Sequence, residues 1–228
     1  MGCSSVIPNH MMRLFKIASL SLLALLVIAF GLGGKGYLDA VRASDHLSTR
    51  ADTLIAKGLG GGDLGDARLE QLLRVQDPAF YSHAGVDFRT AGAGATTISQ
   101  SLSKRLAFKR FRPGIGKIRQ TGYALGLERH LNKDQILALW LETVEMGQGS
   151  DGWMTGFFTA SEAVFEAAPP ELSDKEYISL LAVLIAPGSY NLQDGGENLS
   201  ERIHRIERLL AGSCTPLDHG DVWLEGCR

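Results

Sequence analysis

The sequence has no sustained alternation of apolar and polar residues and no internal repeat, which excludes an all-β architecture and a solenoid. It has no strong charge of either sign. Lys and Arg number 23 against 25 Asp and Glu, a formal net charge of −2, so nothing in the balance calls for a nucleic-acid partner. Cysteine is scarce, three in 228 residues, and their spacing carries no metal-ligand signature. Cys214 and Cys227, both near the C-terminus, are a candidate disulfide if the domain faces an oxidising compartment. The alternative is two unrelated thiols. With 45% apolar and 21% charged residues, the chain is globular rather than disordered.

Charge is also missing locally, and there its absence is informative. Ile17 to Gly34, IASLSLLALLVIAFGLGG, carries no charged residue. As a helix it spans about 27 Å, close to the hydrocarbon thickness of a bilayer. Arg13 and Lys16 precede it; Lys35 and then Asp39 follow. The positive-inside rule therefore places the N-terminus in the cytoplasm and the rest of the chain on the extracytoplasmic (periplasmic) side of the inner membrane. A cleaved signal peptide is the competing reading. The MGCSSV start is no lipidation signal, since position six is Val and Cys3 precedes the apolar run.

The expected organisation is a cytoplasmic tail (1–12), a single-pass anchor (13–34), a linker with a Gly-rich hinge (35–66), a main domain (67–211) and a C-terminal tail (212–228). Within the main domain, helices are expected over residues 67–75, over 117–131, and over Lys133 to Met146. Further helices are expected from Asp174 to Ile185 and Asn198 to Ala211, with Thr96 or Thr97 capping another. GQGSDGWMTG is read as a Gly-rich turn. Lys104 to Arg119 is rich in Lys and Arg, holds no acid, and is interleaved with Phe108 and Phe111. That composition suits an anionic membrane surface or a lipid diphosphate. The fold class is mainly α.

Several stretches fall in one order. QDPAFYSHAGVD resembles the first motif, Glu-Asp-x-x-Phe-x-x-His-x-Gly-x-Asp, of the family 51 glycosyltransferases, the peptidoglycan polymerases found alone or within class A penicillin-binding proteins. GATTISQSLSKR is similar to their second motif, GKIRQTGYALGLE to the third, and KDQILALWLETVEMGQG to the fourth. GFFTASEAVF and ELSDKEYISLLAVLIAPGSYNL resemble the closing helices. The resemblance implies a lysozyme-like, two-lobed domain with a small membrane-associated jaw. It implies lipid II or a nascent glycan strand as ligand and an active cell-wall polymerase as a candidate partner; given the short stretch after the last motif, no transpeptidase domain is expected there.

In that family the first-motif Glu is the base and the third-motif Glu lies near the departing phosphate. The resemblance carries those positions onto Gln76 and Gln120, with Asp77 beside the first. Thr97, Gln100, Lys104 and Lys117, with Arg119 adjacent, correspond to positions that line the sugar–diphosphate site. His83 and Asp87 are expected to shape the loop. No metal ligand or cofactor is called for; a divalent cation is compatible with a diphosphate, but no residue pattern signals one.

An amide accepts no proton at useful pH, and losing a general base costs about 10²–10⁴ in rate. Each carboxylate removed from beside a diphosphate also relieves roughly 2 kcal/mol of repulsion at about 7 Å. The expectation is a homologue that binds its lipid and turns it over poorly. Its rivals are a polymerase using another acid and a non-catalytic envelope scaffold.

Overall fold

The computed structural model describes residues 9–193 and 195–228. The MGCSSV start and the first eight residues of the expected tail lie outside the described residues. The apolar run is the first part of one uninterrupted helix, α1 (Asn9–Ala56), about 72 Å long. Its apolar side chains from Phe15 to Phe30 are largely exposed, and its best window has a mean hydropathy of 2.3. Among the described residues it is the one helix long and apolar enough to cross a membrane. Past that run the same helix becomes a packing element, burying Ala40, Leu47, Ala51 and Leu54.

Helix starts follow from local chemistry. Thr97, Asn132 and Ser173 cap α3 (Ile98–Ala107), α5 (Lys133–Thr143) and α7 (Asp174–Val183). In each, the cap side chain accepts from the third helical N–H, and Gln100, Gln135 or Glu176 reaches back to the cap. A cap of this kind stabilises a helix by about 1 kcal/mol. α2 (Asp66–Gln76) follows a short 3₁₀ turn at Gly61–Leu64, and α4 (Ile115–His130) follows the basic segment.

α1 and α4 meet backbone to backbone. A Cβ on Gly36 would overlap the Arg119 carbonyl oxygen, and one on Gly122 would overlap that of Gly33. A Cβ on Gly126 would stand 2.7 Å from the Ala40 methyl. No side chain larger than hydrogen fits at these crossings.

α5 is buried on all faces from Gln135 to Leu141 and forms the axis of the core, with Phe80, Leu102, Phe157 and Tyr177 around it. α6 (Phe157–Phe165) and α7 complete this side. The segment expected as a turn is a two-stranded antiparallel hairpin, β1 (Glu145–Gly149) and β2 (Gly152–Thr155). α5 stops at Thr143, short of the expected Met146, because the chain extends at Val144 to enter β1. Four glycines from Gly147 to Gly156 hide the strands from any alternation signal.

α8 (Glu197–Leu210) lays Leu199, Ile206 and Leu209 on the core. The last residues then fold back. Cys214 and Cys227 are disulfide-bonded with Cα atoms 5.2 Å apart. The Gly92 and Gly94 N–H groups donate to the Asp218 and His219 carbonyls at 2.9 and 2.8 Å. Residues 212–228 are thereby tied to the loop before α3.

Candidate functional site

The loop from Asp77 to Thr97 joins α2 to α3, and buried hydrogen bonds set its shape. Asp77 is 1% exposed. Its Oδ2 accepts from the Ile98 N–H at 2.8 Å, at the start of α3, and both oxygens lie 3.0 Å from His83 Nε2. Because the Gly85 N–H donates to His83 Nδ1 at 3.0 Å, the ring proton resides on Nε2 and is donated to Asp77. Thr97 Oγ1 donates to the Gly85 carbonyl at 2.8 Å, tying the loop's middle to its end.

Asp87 braces the far side of the loop, accepting from the Arg89 and Thr90 N–H groups at 2.8 and 3.1 Å. Burial opposes its ionisation, but hydrogen bonds from Thr90 and Arg89 outweigh it and hold the carboxyl at about 2. Glu128 adds a further brace. It accepts from Ser99 Oγ, and from Lys133 Nζ at 2.8 Å.

This scaffold sets Gln76, the last residue of α2, on the wall of a cleft of about 480 Å³. Opposite stand Lys104 and Arg105 from α3, Lys117 and Gln120 from α4, and Glu145 from β1, with Trp140 as a further wall. The three-residue spacing of Lys117 and Gln120 puts both on one face of α4. Lys117 Nζ donates to the Ala95 carbonyl and Thr96 Oγ1 at 2.7 and 2.8 Å. Burial, with Lys104 nearby, lowers its pKa below the ordinary lysine value. Burial likewise brings Arg105 down to about 10, against the pull of Glu145, so its guanidinium is charged at neutral pH. The cleft is poised for an anion, which would relieve that strain on the cations.

The two glutamines are held differently. Gln76 Nε2 makes a long contact, 3.4 Å, with the Leu181 carbonyl. Gln120 is 2% exposed and its Nε2 donates to the Gln100 carbonyl at 2.6 Å, while its Oε1 has no partner.

Three sequence expectations need correction. Asp77 does not stand in the cleft beside Gln76; its carboxylate is consumed by His83 and the α3 terminus. Gln100 lines no part of the cleft, since its side chain serves the Thr97 capping box and donates to Thr121 Oγ1 at 3.0 Å. Arg119 turns the opposite way, pairing with Asp39 of α1 at 2.8 Å and covering the Phe108 ring. One residue along a helix rotates the side chain by about 100°, so the neighbour of a cleft residue faces elsewhere. Thr97 is chiefly a cap, on the rim of an adjoining cavity.

Sequence reasoning missed Glu145, whose place in the cleft depends on the hairpin, and Trp140, which reads as one more apolar residue of a core helix. It also missed Arg202, which is 3% exposed on α8. Its only sequence signal is its spacing: it falls three residues after Leu199 and four before Ile206, on the apolar face.

A model of the transglycosylase family matches residues 62–211. The chain is 28% identical over 193 residues to penicillin-binding protein 1A of Clostridium perfringens (strain 13 / Type A), covering 76% of this chain and 27% of that protein. It is 28% identical over 158 residues to penicillin-binding protein 1B of Escherichia coli (strain K12), covering 64% and 19%. To the biosynthetic peptidoglycan transglycosylase of Marinomonas sp. (strain MWYL1) it is 30% identical over 147 residues, covering 59% and 64%. The chain thus spans about a quarter or less of the length of those two penicillin-binding proteins.

Proposed function

The chain belongs to the transglycosylase family, and from that premise we propose that it is a membrane-anchored member that holds a lipid-linked sugar diphosphate but polymerises it poorly or not at all. The ligand would be lipid II or the growing glycan strand, a class suggested by the peptidoglycan transglycosylase among its relatives. The observation that carries this reading is the cleft itself. It gathers Lys104, Arg105 and Lys117 around two amides, Gln76 and Gln120, where the family resemblance calls for carboxylates. The cations are suited to hold a diphosphate, and neither amide can take the proton of an attacking hydroxyl. The apolar α1 and the disulfide support insertion in the cytoplasmic membrane with the domain on its oxidising face. An active cell-wall polymerase is the partner such a module would serve.

The test is lipid II polymerisation by the full chain in detergent, beside a Gln76→Glu variant. The native protein is expected to make no glycan, and the variant to gain at least about 10²-fold. Glycan synthesis by the native protein would overturn the reading. A second reading, polymerisation through another acid, has one observation in its favour: Glu145 is the carboxylate among the cleft residues. Native activity abolished by Glu145→Gln would establish it. The scaffold alternative fails if lipid II binds and Lys104→Ala or Lys117→Ala removes that binding.

A further inference from the structure

We propose that Lys109, Arg110 and Arg112, in the segment between α3 and α4, bind the anionic headgroups of phospholipids in the leaflet from which α1 emerges. The inference rests on the reading of α1 as a membrane anchor. It concerns a surface outside the cleft, since none of the three residues lines that cavity.

The α1–α4 crossing sets the depth of this segment. Gly33 stands against Ile118, Gly36 against Arg119 and Tyr123, and Ala40 against Gly126. These contacts ascend both helices together, so α4 runs in the direction of α1, away from the membrane. Gly33 is the last residue but one of the uncharged run. Ile118 therefore lies level with the end of that run, and Ile115, three residues earlier, about 4.5 Å nearer the bilayer. The cavity between the helices agrees, since Ala29 and Phe30 line it together with Lys117 and Ile118. Ile115 is 67% exposed, and Phe30 and Ile118 are exposed too. They carry the apolar surface of the anchor onto the first turn of α4.

The basic segment is the approach to that turn, so it meets the membrane where headgroups begin. Its aromatic side chains, Phe108 and Phe111, are half-buried and pack edge to face with centroids 5.3 Å apart. Arg119 covers Phe108 at 4.9 Å, and Lys104 lies 5.5 Å from the Phe111 centroid. That clasp fixes the segment against α3 and α4 and occupies two of the neighbouring cations. Lys109, Arg110 and Arg112 are left exposed, and among the described residues none of them has an ion-pair or hydrogen-bond partner for its side chain. No Asp or Glu lies between Lys104 and Arg119 to neutralise them.

Three free cations beside an exposed isoleucine select a surface that is anionic above and apolar below, which describes a phospholipid leaflet. A soluble polyanion would satisfy the cations and leave Ile115 in water. The diphosphate proposed for the cleft has Lys104, Arg105 and Lys117 beside it and does not compete for these three. Attached to the leaflet here as well as through α1, the domain is held against tilting.

The experiment is NMR of the ¹⁵N-labelled full chain in phosphatidylcholine bicelles, into which phosphatidylglycerol is titrated. A phosphatidylcholine carrying a nitroxide on its acyl chain reports on the anchor, and is expected to broaden amide signals within residues 17–34. Phosphatidylglycerol is expected to shift the amides of Lys109, Arg110, Arg112 and Gly114. Lys109→Gln/Arg110→Gln/Arg112→Gln is expected to need at least tenfold more of that lipid for the same shift at Gly114. Arg110→Lys/Arg112→Lys, which keeps the charge, is expected to respond as the native chain does. Broadened α1 signals with an unmoved basic segment overturn this proposal alone, and they do so with unmodified protein. Unbroadened α1 signals overturn the anchor reading and this proposal with it. A native response from the triple Gln variant overturns the assignment to these side chains. Inorganic pyrophosphate that saturates the same signals at a concentration no higher than the lipid's would assign the segment to soluble phosphates and overturn the proposal too.

Discussion

Gln76 and Gln120 differ in what a carboxylate would meet in their place. At Gln76 a new carboxylate faces the cleft and its cations. At Gln120 it would be buried with an oxygen near the Gln100 carbonyl that Nε2 now serves at 2.6 Å, so two acceptors would collide. Gln120→Glu is expected to lower stability by about 1–3 kcal/mol at neutral pH. The new carboxyl's folded pKa is raised above its unfolded value. Its stability is thus complete below the unfolded pKa, about 4.3, and is lost as pH rises. Thermal melts at pH 4 and pH 7.5 check this, with the larger deficit expected at pH 7.5. Gln76→Glu alone is therefore the cleaner reversion. Asp87 runs the other way. Its folded pKa of about 2 lies below the ordinary aspartate value of 3.8, so its contribution is present above about 4 and lost as pH falls toward 2. Asp87→Asn is expected to flatten that acid limb of the melting curve. Residue identity was legible where a motif fixed it, as for Lys104, Lys117 and the two glutamines. Direction was not: Gln100 and Arg119 share those motifs yet point into a cap and toward α1.

Elements were easier to read than the contacts between them. Capping residues and apolar periodicity located α3, α5, α7 and α8 to within a few residues, because those signals are local. The hairpin was invisible because its register comes from pairing, and glycine gives no pattern to pair. The α1–α4 crossing was equally hidden, since neither helix reveals that its glycines face the other. It is a firm point of the structure. Gly122→Val would drive a side chain into the α1 backbone. The expected loss is about 1–3 kcal/mol or more, seen as a lower melting temperature. Weaker pyrophosphate binding should accompany it as α4 moves Lys117. A control at Gly31, which has open space around its Cα, is expected to show neither effect on replacement by Ala.

At the scale of the whole molecule, the domain is fastened near its C-terminal end by the Cys214–Cys227 disulfide and at its N-terminal end by α1. Cys214–Cys227 holds the segment that carries Val222 against the loop before α3. Cys214→Ser with Cys227→Ser is expected to cost roughly 3 kcal/mol in the chain-entropy account, and reduction of the native protein should match it in a denaturant titration. The fold-back itself was not legible in the sequence, because the Gly92 and Gly94 bonds that secure it span more than a hundred residues. The other end is α1. Seated in a bilayer, a helix that runs unbroken from lipid into the domain is an axle rather than a leash. It fixes the height of the cleft and leaves rotation about one axis and drift in one plane. Encounters with a lipid-borne ligand then become a two-dimensional search, governed by molecules per unit area. Diluting such a protein with more lipid would slow it as surely as diluting its substrate, and dilution with water would leave it unmoved.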